Sequence, residues 1–170
     1  SGWAVRQRAT LFMAALAGFA ALLSRLTGRA DLSIGVPIAG RNHREVEGLI
    51  GFFVNTLVLR VDTSGDPSFG ELLERVRAAT LGAYAHQDLP FERLVEELAP
   101  ERSLAHAPLF QVMLNLNNAP LVRLTLPGLE LEPVDVDAGR GKFDLTLTLA
   151  PRADDLYGSL RYSRDLFELR

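Results

Sequence analysis

The chain has 170 residues, 48% of them apolar, and its 18 basic and 21 acidic side chains leave a net charge of −3. That length and apolar fraction predict one domain, or one lobe of a larger one, and exclude disordered, collagen-like and coiled-coil chains. Zero cysteine excludes disulfides, a thiol nucleophile, thiolate zinc sites and iron–sulfur clusters, and the lack of any basic block argues against a nucleic-acid partner.

Leu11 to Leu23 is an unbroken run of thirteen apolar or glycine residues behind Arg6 and Arg8. A membrane span needs about twenty such residues. Arg25 and Arg29 stand where a secretory signal would need a small, neutral cleavage site. A buried helix fits the flanks better, with Thr10 as N-cap, Arg25 in the last turn and Gly28 as its stop. A cytoplasmic location with no membrane partner is therefore expected.

Leu32 to Ile38 reads as a strand running into a turn at Ala39-Gly40-Arg41. Phe53 to Val61 reads as a second, with Leu57, Leu59 and Val61 on one face and Thr56 and Arg60 on the other. Ser68 and Glu71 form a capping box for an amphipathic helix. Its expected buried stripe is Phe69, Leu72, Leu73, Val76, Ala79, Thr80, Ala83 and Tyr84. Pro90 then opens a shorter helix with Phe91, Leu94, Val95 and Leu98 inward.

The second half alternates at the period of strands. Phe110, Val112, Leu114 and Leu116 share one predicted face, and Gln111, Met113, Asn115 and Asn117 the other. Residues 129–132 alternate again, as do Phe143, Leu145, Leu147 and Leu149 with Asp144, Thr146 and Thr148. A turn from Pro151 to Asp155 leads to a hairpin partner, Leu156 to Tyr162. The predicted class is α/β, an α+β two-layer sandwich of a mixed sheet with packed helices.

Chemical motifs are scarce. There is no G-x-S-x-G elbow, and His43, His86 and His106 are too far apart in sequence for ligand spacing. Gly139-Arg140-Gly141-Lys142 lacks the earlier glycine and the following Ser/Thr of a phosphate loop, so it reads as a turn. His86 ends a helix, where an imidazole suits the dipole without any catalytic role.

Four successive blocks resemble core motifs of the condensation domain of nonribosomal peptide synthetases, a member of the chloramphenicol-acetyltransferase-like superfamily. The first runs from Thr10 to Gly28 and on through Val36-Pro37-Ile38-Ala39-Gly40-Arg41; the second is Ile50-Gly51-Phe52-Phe53-Val54-Asn55-Thr56-Leu57 with Leu59-Arg60. The third is His86-Gln87-Asp88-Leu89-Pro90-Phe91-Glu92-Arg93-Leu94-Val95, continuing to Pro108-Leu109-Phe110-Gln111-Val112-Met113, and the fourth is Arg164-Asp165-Leu166-Phe167. The family's signature of two adjacent histidines followed by three residues and Asp-Gly is absent. The resemblance therefore implies that residues 1–170 are the C-terminal lobe, that the base for amine attack belongs to an N-terminal lobe, and that the chain begins mid-protein.

The resemblance further implies peptide-bond formation in the intact parent, between substrates on the phosphopantetheine arms of partner carrier proteins, with no cofactor bound directly. This lobe would form one wall of the tunnel, beside the N-terminal lobe and a neighbouring adenylation domain. Gln111 and Asn115 suit contact with the amide-rich arm, or form a solvated edge. Asn55 and Thr56 would hydrogen-bond near the tunnel, or follow plain polar-out alternation. Arg41 would hold its loop or pair across to the other lobe, and Asp144 ends a segment, 139–144, suited to crossing the cleft. The alternative is a non-catalytic platform of the same fold that docks a carrier protein or tailoring enzyme. An exposed apolar patch is expected where the second lobe would pack.

Overall fold

The structure is a computed structural model describing residues 8–41, 44–98, 107–117, 128–129, 141–152 and 155–168. In chain order the described elements are α1 (Leu11–Thr27), β1 (Asp31–Ile38), α2 (Arg44–Glu47), β2 (Asn55–Asp62), α3 (Phe69–Ala85), α4 (Phe91–Leu98), β3 (Val112–Leu116), β4 (Leu145–Arg152) and β5 (Asp155–Tyr162). The apolar run does form a buried helix. Thr10 Oγ1 accepts from the Met13 N–H at 3.2 Å, and Gly28, at φ 69°, closes its N–H onto the Ser24 carbonyl at 2.8 Å. Leu16, Ala17 and Ala20 are wholly buried.

The sheet order is β2-β1-β3-β4-β5, mixed as predicted: β1–β2 and β4–β5 are antiparallel, β1–β3 and β3–β4 parallel. Strand alternation gives the sheet two unlike faces. Leu32, Ile34, Val36, Leu59, Val61 and Leu114 join the buried faces of α1 and α3 in one core. Each fully buried aliphatic there contributes about 1.5–3 kcal/mol. The opposite face carries Ser33, Gly35 and Pro37 of β1 against Arg60, Val58 and Thr56 of β2.

Three expectations change. Phe110 does not share the face of Val112 and Leu114, because the chain turns sharply just before β3 starts. The Phe110 N–H bonds the Pro108 carbonyl at 2.8 Å, closing a γ-turn with Leu109 at φ 67°. The ring swings onto the far face, between Phe91 (5.6 Å between centroids) and Phe143 (5.0 Å). Second, the apolar side of α4 is only half-covered and Leu98 is exposed, since α4 lies alone over β2 with no layer above it among the described residues. In the stripe of α3, Leu72, Leu73, Val76 and Thr80 are buried, Ala79 is half-buried and Ala83 packs against the core, while Phe69 and Tyr84, at its two ends, are exposed.

Third, the hairpin pairs through Pro151, opposite Leu156, so β4 continues where a turn is predicted. Proline is tolerated because residue 151 aims its backbone toward β3, whose ladder has already ended. Of residues 129–132, only Leu129 lies within the described residues.

Phe110 fits because residue 35 has no side chain. A Cβ there would stand 2.2 Å from the Phe110 ring. Gly35→Ala should lower unfolding free energy by about 1–3 kcal/mol, and Phe110→Leu in that background should recover part of the loss; urea titration checks both.

The capping box of α3 gives a pH prediction. The Ser68 hydroxyl and N–H hold the Glu71 carboxyl below its usual range. A depressed carboxyl contributes stability fully above its unfolded pKa of about 4.3, lost as pH falls through the lower folded value. The stability difference between wild type and Glu71→Gln should therefore shrink below about pH 4.3 and be flat above about pH 6, as read by thermal melts across pH.

Candidate functional site

The first three blocks meet at one end of the sheet, where Ile38 of β1 faces Asn55 of β2. Gly40 stands there at φ 62°, so close to β2's approach that a Cβ would lie 1.9 Å from the Phe53 carbonyl oxygen. No other residue combines that conformation with that clearance. Arg41 then staples the intervening loop. Its Nη1 donates to the Val46 carbonyl, its Nη2 reaches the Gly51 carbonyl at 3.5 Å, and its guanidinium lies 4.4 Å from the Phe53 ring centre.

Asn55 makes the second clasp. Its Nδ2 donates to the carbonyls of Gln87 (2.9 Å) and Leu89 (2.8 Å), and its Oδ1 accepts from the N–H groups of Thr56 (2.8 Å) and Phe91 (3.0 Å). Both amide protons and both carbonyl lone pairs are thereby used. Asn55 ties the start of β2 to the turn that opens α4. Half-buried Thr56 follows, opposite Pro37.

Gln111 and Asp144 lie together at the other end. The Asp144 N–H donates to the Gln111 carbonyl at 3.0 Å and its carbonyl accepts from the Ser163 N–H at 2.9 Å, while Gln111 Nε2 donates to the Ala107 carbonyl at 3.2 Å. Gln111 precedes Val112, which pairs with Ile34, so this junction is about 16 Å along the strands from Asn55, at ~3.3 Å per residue. The fourth block folds beside it, Phe167 edge-on to Tyr162 at 6.2 Å.

Asn115 belongs to neither end. It lies on the far face of β3, opposite Thr148 of β4, which in turn is opposite Ser159 of β5. Met113, Thr146 and Arg161 form the next row. On that side Phe91 of α4 lies against Phe110 just ahead of β3, and Asn115, Thr148 and Ser159 are each half-buried. The result is a lane of amide and hydroxyl groups across the sheet. Alternation marks Thr146 and Thr148 as polar-facing, but only the register sets Thr148 and Ser159 beside Asn115.

Elsewhere on that face, a cavity of about 440 Å³ lies between α4 and the sheet, lined by Ser33, Val58, Leu94, Leu98, Leu109 and the Asp31–Arg60 ion pair. Hydrogen bonding to Arg60 holds the Asp31 carboxyl below its usual range. His86 is exposed, closing α3 through its N–H to the Ala83 carbonyl at 3.1 Å. His43 and His106, with residues 139–140, lie outside the described residues. Among the described residues no cluster of His, Asp or Glu could hold a metal ion, and no helix is long and apolar enough to cross a membrane.

Replacing Asn55 by Ala strands the Phe91 N–H and two carbonyls, at a cost of about 1–3 kcal/mol. The 86–91 turn should then become a preferred site of limited proteolysis. Thr56→Val should stay within about 0.5 kcal/mol of wild type.

The condensation domain family model matches residues 2–170. The chain is 53% identical over 163 residues to malpinin synthetase of Mortierella alpina, covering 96% of this chain and 2% of that protein. It is 52% identical over 167 residues to a dimodular nonribosomal peptide synthase of Bacillus subtilis, covering 95% of this chain and 7% of that protein. It therefore spans only a small part of the length of these relatives. It superposes on the X-domain from teicoplanin biosynthesis with a TM-score of 0.86 at 32% identity, covering 98% of this chain and 39% of that one. An X-domain from teicoplanin biosynthesis has also been solved in complex with OxyB (TM-score 0.80, 34% identity, 94% and 36% covered). With a mixed sheet and packed helices matching these folds and the family model spanning almost every residue, the chain belongs to the condensation-domain family of nonribosomal peptide synthetases.

Proposed function

We propose that residues 1–170 act as the C-terminal lobe of a condensation domain whose intact parent joins carrier-bound aminoacyl and peptidyl thioesters through a peptide bond. The polar lane on β3–β5 is one wall of the tunnel that receives the phosphopantetheine arms of the carrier proteins. The observation that carries this reading is the register that aligns Asn115, Thr148 and Ser159, each half-buried, in one row on the side of the sheet away from α1 and α3. An arm rich in amides needs donors and acceptors at intervals along a narrow path, and a strand face of amide and hydroxyl groups supplies them.

In this reading the chain's contribution is positional. Holding amine and thioester within reach turns a slow bimolecular aminolysis into an effectively unimolecular one. The base sits on an N-terminal lobe, since this sequence has no adjacent histidine pair. Arg41 and Asn55 fix the loop between β1 and β2 and the start of α4, Gln111 and Asp144 brace the far end, and Asn115 meets the arm. Fully exposed Ile50 and Phe52 (89% exposed) on the stapled loop form the apolar surface the second lobe covers. The neighbouring adenylation domain and the carriers are partners of the assembled synthetase.

A second reading, a non-catalytic docking platform, is favoured by the likeness to an X-domain solved with OxyB. The two separate in one assay. Joined to a condensation N-terminal lobe bearing the paired histidines and supplied with loaded carriers, the protein should form the peptide bond. Asn115→Leu with Thr148→Val should then slow condensation about tenfold or more, at ~1 kcal/mol per lost hydrogen bond, without changing the thermal midpoint beyond a few degrees. Unchanged turnover in that double variant overturns the lane as tunnel wall. Carrier binding without any transfer selects the platform.

A further inference from the structure

The sheet order leaves β5 at one edge, with no strand among the described residues against its outer side. The hydrogen bonding shows which backbone groups face out. The Leu149 carbonyl accepts from the Asn117 N–H at 2.7 Å, so Leu145, Leu147 and Leu149 direct their backbone groups toward β3. Thr146 and Thr148 therefore direct theirs toward β5, where Arg161 and Ser159 stand opposite. By the same alternation Leu156, Gly158 and Leu160 present their N–H and C=O groups outward.

Edges of this kind are normally blunted by lysine, proline, a bulge or short length. This one is eight residues long, regularly paired throughout and free of lysine and proline; its charges, Asp155 and Arg161, stand near its two ends, and no strand among the described residues pairs with its outer side. Leu156 and Leu160, 44% and 54% exposed, lie on the face shared with Leu147 and Leu149.

We propose that β5 pairs with β5 of a second copy of this chain, antiparallel about a twofold axis through Gly158. Directly opposed residues of an antiparallel pair share a face, and a twofold pairing is self-complementary. Centring on Gly158 opposes the outward backbone groups of Leu156 with those of the second copy's Leu160, and Gly158 with its own counterpart. The leucines then cover each other on the core side of the joined sheets. On the other face Asp155 stands opposite the second copy's Arg161, and Arg161 opposite the second copy's Asp155, so both charges find partners twice. Shifting the axis to Ser159 keeps the outward backbone groups in phase but sets Arg161 against Tyr157, Asp155 against Ser163 and Leu160 against Gly158, so the charge pairs and the leucine pair are lost. Of the axes that keep the hydrogen-bonding phase, the one at Gly158 also pairs the charges and the leucines. The pairing is independent of the tunnel reading.

Sedimentation equilibrium of the 170-residue chain over a wide concentration range tests it, with circular dichroism confirming that each variant is folded. Wild type should approach twice the monomer mass. Gly158→Pro removes an outward N–H that no β4 bond uses, and should give monomer. Arg161→Asp and Asp155→Arg should each weaken dimerisation about tenfold or more, since each change places like charges together twice. The double swap should return to within about threefold of wild type. A wild type that stays monomeric, a dimer indifferent to Gly158→Pro, or a double swap as weak as the singles would each overturn the proposal.

Discussion

A phenylalanine ring resting where a side chain is missing joins the two halves of this sheet. The ladder between β1 and β3 is short, with Ile34 opposite Val112 and Gly35 opposite Met113, and everything from β3 to β5 hangs from that seam. Leu114, wholly buried, secures it on the helix side. Phe110 secures it on the other, 1% exposed over Gly35 and wedged between Phe91 of α4 and Phe143 just before β4. Aromatic pairs of this geometry add about 0.5–1.5 kcal/mol each beyond their burial. One side chain therefore bonds a helix, a strand and the approach to a second strand to the same glycine.

That placement has a backbone cost. Leu109 occupies the left-handed region without being glycine, in a tight three-residue turn that such residues rarely adopt. Strain of this sort runs to about 1–3 kcal/mol. Full burial of a phenylalanine is worth about 1.5–3 kcal/mol, so the wedge offsets the turn that delivers it. A smooth strand entry would be less strained, but it would leave the ring on the helix side and the Gly35 depression empty.

The amino-acid pattern reveals what is local and hides what is not. Thr10, Gly28, Ser68 and Glu71 cap their helices as read, because each acts within four residues of itself. Leu57, Leu59 and Val61 are buried together because alternation is also local. Asn55 is visible as a polar residue in an apolar strand, but its partners across the fold lie more than thirty residues away, so its saturation by backbone groups is not legible. Phe110 is misplaced by alternation because periodicity assumes the strand has already begun. Leu98 is misplaced because a helix's own pattern does not say whether anything lies above it. The lane of Asn115, Thr148 and Ser159 needs the order β3-β4-β5, which no single segment encodes.

The two clasps at the β1–β2 end share a consequence that stability alone does not require. Arg41 donates to the carbonyls of Val46 and Gly51, and Asn55, the residue that follows the 49–54 stretch, is tied to the turn at residues 87–91. The 49–54 stretch holds Ile50 and Phe52 out in water, which forfeits the burial each could have gained. A loop free to relax would fold such side chains against the sheet. Held where they are, they offer apolar surface already in place, so a covering surface gains their burial without first ordering the loop. Rigid polar anchoring beneath exposed apolar tips is what a permanent packing partner needs, and a solvent-facing loop does not. The faces of the sheet divide in the same way: α1 and α3 cover one side, while on the other α4 and the Phe110 wedge close the β1–β2 half and the seam, beyond which stands the row of Asn115, Thr148 and Ser159.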